Sequence, residues 1–127
     1  MGEFVVDSNI FIDHLRRHSS MEPFMAQAER DASGLCISTL TLTEIASGQS
    51  MDEDAKRKEA EFLLSKFETI PVNDAIAQRA GELRRRHGTD IIDAIIAATA
   101  ILTESVLVTK NLKHFEGIPG LETRTLS

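Results

Sequence analysis

The sequence predicts an α/β fold, a mostly parallel central sheet of about five short strands with helices on both faces, occupying one domain over residues 1–127. Three observations predict it. Short apolar runs such as FVV, LCIS and SVLV alternate along the chain with segments of helical period. Strands separated by helices imply right-handed crossovers and a parallel sheet covered on both sides. The length of 127 residues fits one domain that buries roughly two-thirds of its unfolded surface.

The elements follow in order. Glu3 to Asp7 is an apolar run ending in an acid, and Ser8-Asn9 opens an amphipathic helix through Arg17. A second helix, Met21 to Ala32, is ended by Ser33-Gly34 and leads to a buried strand from Leu35 to Ser38. A helix near Thr41 to Ala46 stops at Gly48. The stretch DEDAKRKEAEFLLSKF is helical, its charges a solvated face opposite Phe62, Leu63 and Phe67. A brief strand at Thr69 to Val72 precedes a helix capped by Asn73 that ends near Arg86-His87-Gly88, where three arginines suit a helix C-terminus. Asp90 begins a helix, DIIDAIIAATAIL, that is apolar nearly all round and therefore packed on several sides. Ser105 to Thr109 is the clearest strand, Asn111 caps a short turn through Phe115, and Leu121 to Leu126 gives a weak edge strand after GIPG.

Composition narrows the function classes. Hydrophobic residues at 42% and charged residues at 27% match a soluble globular protein and exclude disordered or fibrous chains. The one cysteine, Cys36, has no intramolecular partner, which excludes a disulfide framework, points to a reducing compartment and suits a buried core thiol. The opening MGEFVVDSN has neither a basic leader nor a long apolar core, so a cytoplasmic location is expected. Ile91 to Leu102 is broken by Asp93 and falls short of the roughly 20 residues that cross a bilayer, so no membrane is expected as a partner. A net charge of −6 argues against a general nucleic-acid coat protein. It leaves room for a nuclease, because acids gathered around a divalent cation reverse the local charge.

In parallel sheets, ligands bind beyond the carboxyl ends of the strands, and Asp7 and Thr109 end two strands there. Glu44 lies in the helix after the second strand, and Asp93 in the first turn of the helix leading into SVLVT. Such acids, brought together, repel and raise one another's pKa unless a divalent cation sits among them. Oxygen donors without a histidine or cysteine cluster favour Mg²⁺ or Mn²⁺ over zinc. Each acid also has a plain structural explanation. Asp7 fits an Asx turn, Glu44 fits a capping box begun by Thr41, and Asp90 fits a helix N-terminus, the reading preferred for it. Asp93 is flanked by apolar residues and needs a partner, since an unpaired buried carboxylate costs several kcal/mol. Thr109 and Asn111 equally suit a turn hydroxyl and an N-cap.

Taken together, VVDSNIFID, ISTLTLTEIASG and DAIIAATAILTESVLVTKNLKHFEGIPGL resemble the PIN-domain ribonucleases, particularly the VapC-type toxins of bacterial and archaeal toxin–antitoxin pairs, over essentially the whole chain. The resemblance implies that Asp7, Glu44 and Asp93 are metal-binding catalytic acids, with Ser8 and Thr109 as supporting hydroxyls. The sequence departs from the pattern after TK, where many members carry aspartate and this chain has Asn111. An amide can ligate a metal or hydrogen-bond its water without adding charge, which leaves Asp90 as a candidate to assist. The implied chemistry is endoribonucleolytic hydrolysis by metal-activated water, leaving a 5′-phosphate. The resemblance also implies two partners, a homodimer mate and a cognate antitoxin that blocks the site. Arg84, Arg85, Arg86, Lys110, Lys113 and His114 are candidate phosphate contacts, and the lack of Trp and Tyr favours shape and backbone recognition of folded RNA. Three other readings stand beside this one: a nuclease of the same fold in RNA processing or acting on DNA, a receiver-like phosphoacceptor domain, and a non-catalytic binding module. The receiver reading lacks its paired acid after the first strand and its acceptor aspartate after the third.

Overall fold

A computed structural model describes residues 3–17 and 21–126; the expectation for the opening residues 1–2 lies outside them. The expected strands appear as β1 (Glu3–Val6), β2 (Gly34–Ser38), β3 (Glu68–Ile70), β4 (Val106–Val108) and β5 (Glu122–Arg124). They form one sheet in the order β3-β2-β1-β4-β5, and every pairing is parallel. The sheet is thus wholly rather than mostly parallel among the described residues. The helices are α1 (Ser8–Arg17), α2 (Met21–Arg30), α3 (Thr39–Ala46), α4 (Asp54–Leu64), α5 (Asp74–His87) and α6 (Ile91–Leu102).

Strand periodicity divides the core. Val5, Cys36 and Leu107 point to one face, where α5 and α6 supply Ile76, Ala80, Leu83 and the alanine-rich stretch from Ala94 to Ala100. Val6, Ile37 and Val108, their immediate neighbours, point to the other face and meet Ile10, Phe11, Met21, Phe24, Ile45 and Leu63. Two layers of helix therefore enclose the sheet, and each fully buried branched or aromatic side chain contributes about 1.5–3 kcal/mol by leaving water.

Several local expectations hold with their physical cause. The Asn73 side chain accepts from the Ile76 amide at 2.9 Å, and Gly88 ends α5 with φ of 68°, its N–H donating to the Arg84 carbonyl. Others need correction. The left-handed residue after α2 is Ala32, with φ of 55°, while Gly34 lies in β2, where the Glu3 carboxylate fills the space that a Cβ would need. Phe62 does not pack inward with Leu63; it is 68% exposed, with Lys66 Nζ 5.0 Å from its ring centroid. The α6 helix is fully buried over its middle, yet Ile91, Ile92 and Leu102 at its ends are exposed. A 3₁₀ turn, Gln49–Asp52, fills the gap before α4. No described helix is long and apolar enough to cross a membrane.

The sheet order positions the site. From β1 the chain steps outward to β2 and β3, then returns to β4 on the other side of β1. The connections leaving β1 and β4 therefore diverge, which opens a crevice at the carboxyl ends of these two strands. Asp7 and Thr109 are the first residues past those ends.

Candidate active site

Backbone hydrogen bonds fix the two residues at the crevice. The Asp7 N–H donates to the Val108 carbonyl at 3.0 Å and the Thr109 N–H to the Arg124 carbonyl at 3.0 Å, so both are held as extensions of the sheet. Across the crevice, Thr109 Oγ1 donates to Asp7 Oδ2 at 2.9 Å. The Asn111 backbone N–H in turn donates to Thr109 Oγ1 at 3.0 Å, which orients that hydroxyl. Asp7 is 5% exposed and Thr109 fully buried, so this chain of bonds lies away from solvent.

Burial dominates the electrostatics of Asp7. It pushes the carboxyl above its usual range, against hydrogen bonds from Thr109 and Ser8 and the charge of His114, all of which pull it down. Ser8, also buried, opens α1, so Asp7 sits at that helix's positive end. The Asx-turn reading of Asp7 does not account for its cross-strand bond to Thr109.

Asp93 stands in the first turn of α6, with His114 Nδ1 3.2 Å from its Oδ2. Its carboxyl is also raised, by burial first and by the charges of Asp7 and Asp90, against the opposing charge of His114. The influence of Asp7 on Asp93 means that residues 86 positions apart in sequence share one electrostatic site. Asp90 caps α6, accepting from the Ile92 N–H at 3.2 Å, as its structural reading predicts, and still lines the same cleft.

Glu44 loses its structural rival. The cap of α3 is Ser38, whose Oγ accepts from the Leu40 N–H at 3.0 Å, so Thr41 lies inside the helix and cannot begin a capping box. Glu44 Oε1 is buried and, among the described residues, has no hydrogen-bond partner. A carboxylate oxygen removed from water without a donor calls for a cation.

Asp7, Glu44, Asp90 and Asp93 line one cleft of about 610 Å³. Ser8 and Lys113 line it too, as do Asn9, His87 and His114. Asn9 and His87 were not singled out by sequence; Asn9 had a signal, since it lies two residues after Asp7 on the opening turn of α1. His114 meets Asp93 because the 3₁₀ turn Leu112–Phe115 folds it back, and spacing alone does not reveal that. Asn111 is placed differently: its side chain makes no cap bond, and it lines a neighbouring hollow with Lys110. Lys110 pairs with Asp13, Arg84 Nη1 donates to the Thr89 carbonyl at 3.2 Å, and Arg86 stands 3.8 Å from Glu82. None of these three cations lines the acid cleft, nor does Arg85.

The donors fit a hard divalent cation: three carboxylates from β1, α3 and α6, two of them disfavoured as bare charges and one with an orphaned buried oxygen. Among the described residues, no three His, Cys, Asp or Glu side chains already stand close enough to hold an ion jointly.

The chain matches the PIN domain family model over residues 4–120. It is 34% identical over 116 residues to Ribonuclease VapC10 of Mycobacterium tuberculosis, covering 87% of this chain and 84% of that one. It is 30% identical over 128 residues to the tRNA(fMet)-specific endonuclease VapC of Salmonella typhimurium, covering 95% and 96%. A toxin–antitoxin complex from Klebsiella pneumoniae includes a chain with 32% identity and a TM-score of 0.71, over 92% of this chain and 93% of that one.

Proposed function

The chain belongs to the PIN domain family, and from that membership we propose that it is a divalent-cation-dependent endoribonuclease acting as the toxin of a toxin–antitoxin pair. One observation carries the reading: Asp7 and Asp93, 86 positions apart in the sequence, line one cleft at the switch point of the sheet with Glu44, and burial raises both aspartates there. Relatives named as ribonucleases support RNA as the substrate, and the Klebsiella pneumoniae complex supports an antitoxin as partner. A homodimer is the proposed assembly, checked by mass in solution.

Asp7, Glu44 and Asp93 would hold Mg²⁺ or Mn²⁺, which when bound acidifies water and offsets charge on the phosphate under attack. The remaining work falls to this chain's own groups. Thr109 holds one oxygen of Asp7 by hydrogen bond, which restrains the carboxylate at the mouth of the crevice. Ser8 hydrogen-bonds to Asp7 and opposes the upward push that burial gives its carboxyl. His114, 3.2 Å from Asp93, likewise opposes the rise there. Lys113, at the cleft, contributes a positive charge for a phosphate approaching an otherwise acidic surface.

The test is cleavage of RNA and matched DNA by the full chain with Mg²⁺, Mn²⁺ or chelator, beside the Asp93→Asn form. RNA cleavage that needs the cation and Asp93 is expected. Cleavage that survives both chelator and substitution overturns the reading.

A further inference from the structure

Beside the acid cleft lies a second hollow of about 590 Å³, and Glu44 lines both. Its size falls within the usual range for a bound small molecule or nucleotide. Its lining divides by chemistry. Ile12, Ile45 and Met51 give an aliphatic wall, Arg16 and Lys56 give two cations, and Gln49 gives an amide that can both donate and accept.

The parts are arranged rather than scattered. Asn9 lines the acid cleft and Arg16 the second hollow, two turns further along α1, about 10 Å at 1.5 Å per residue. Lys56 Nζ donates to the Leu15 carbonyl at 3.3 Å, which holds the ammonium against the same helix. Gln49 opens the 3₁₀ turn Gln49–Asp52 and lines the hollow. Three of the cations that sequence offered for the backbone make contacts elsewhere, Lys110 with Asp13, Arg84 with the Thr89 carbonyl and Arg86 near Glu82, while Lys113 lines the acid cleft.

Accepting the ribonuclease reading, we propose that this hollow is a base-recognition subsite for one unpaired nucleotide of single-stranded RNA next to the scissile phosphodiester. The base lies against Ile12, Ile45 and Met51, its edge is read by the Gln49 amide, and Arg16 and Lys56 meet the adjoining phosphates. Charge complementarity favours an anionic strand here, because two cations outnumber the single carboxylate of Glu44, which the cleft also claims. The aliphatic wall accepts any base face, so discrimination falls to Gln49.

The experiment sequences the 5′ ends left when the full chain, with Mn²⁺, cuts a mixed pool of single-stranded RNA. The wild type is expected to favour one base at a fixed distance from the cut. Gln49→Ala flattens that preference and lowers kcat/KM on the favoured oligonucleotide about tenfold, the scale of a lost hydrogen bond to a base edge, at unchanged melting temperature. Arg16→Gln with Lys56→Gln keeps the preference, raises KM and reduces the salt dependence of binding by about 1.4 in slope, the single-strand value for two lost phosphate contacts. If the wild type cuts no RNA, the ribonuclease reading falls and this subsite with it. If it cuts RNA while Gln49→Ala and the double variant both behave as wild type, the hollow serves another occupant, a protein segment included, and the proposal alone is overturned.

Discussion

The two ends of the sheet both carry acids, and they use them differently. At the amino end, Glu3 and Glu68 are exposed, and the strongly shifted group there is the Cys36 thiol, pushed up to about 12 by burial and then by the neighbouring charge of Glu3. Glu3 Oε2 lies 3.6 Å from Cys36 Sγ. At the carboxyl end the carboxylates themselves are shifted, Asp7 and Asp93 both mainly by burial and Asp93 further by the charge of Asp7. Both ends gather negative charge; only one withdraws its carboxylates from water. Burial of acids in pairs, not their number, marks the place where chemistry is expected.

The sharpest way to break this contrast is to neutralise an acid at each end. Asp7→Asn or Asp93→Asn is expected to lower cleavage about a thousandfold or more, the several kcal/mol that a bound ion supplies to a phosphoryl transition state, whereas Glu3→Gln leaves it unchanged. Calorimetry on the same proteins gives an independent view. Both aspartates bind protons more tightly in the folded chain than in the unfolded one, so their stabilising contribution is complete below the ordinary carboxyl value of 3.8 and is lost as pH rises through their raised folded values. Without divalent cation, Asp93→Asn should therefore melt at or above the wild-type temperature near pH 7, and that gain should vanish toward pH 3. A variant that melts lower at pH 7 would mean that Asp93 is a structural acid.

A smaller effect is expected from the hydroxyl that supports Asp7. Thr109→Val removes its hydrogen bond, which should raise the Asp7 pKa further, move the acid limb of the pH–rate profile to higher pH and cost roughly 10–100-fold in activity or cation affinity. Asn73→Ala, outside the acid cleft, should cost about 1 kcal/mol of stability with activity intact, as a cap does. The smallest change is at the amino end. Glu3→Gln removes the charge that holds the Cys36 thiol up, so alkylation of Cys36 should become modestly faster while burial keeps it slow. An unaltered alkylation rate would remove Glu3 from the account.

Much of this was legible in the sequence, and the losses have specific causes. The strands, the Asn73 and Asp90 caps and the left-handed Gly88 follow from short-range chemistry, which a sequence displays. Burial of Asp7 and Asp93 beside each other follows from sheet order, which alternation of strands and helices only implies. The capping-box reading of Glu44 failed because Ser38, a residue placed at the end of a strand, starts the helix earlier. Phe62 failed because a helical stripe does not say which of its members meets the core. The turn that sets His114 on Asp93 and leaves Asn111 beside the cleft depends on tertiary packing of Phe115, buried in the core. Candidate residues at element ends were placed by sequence, whereas the contact of His114 with Asp93 was not.

One quiet feature ties the far edge of the sheet to all of this. The Thr109 amide is held by the Arg124 carbonyl, and the Arg124 guanidinium rests over the rings of Phe4 and Phe24 at 5.7 and 5.2 Å. Strand β5 thereby works as a clasp: unfastening its last residue would loosen Thr109, then Asp7, along two successive bonds. A pull on that strand would be felt at Asp7 through Thr109, so the outermost edge of the sheet and the innermost acid of the candidate site are joined end to end.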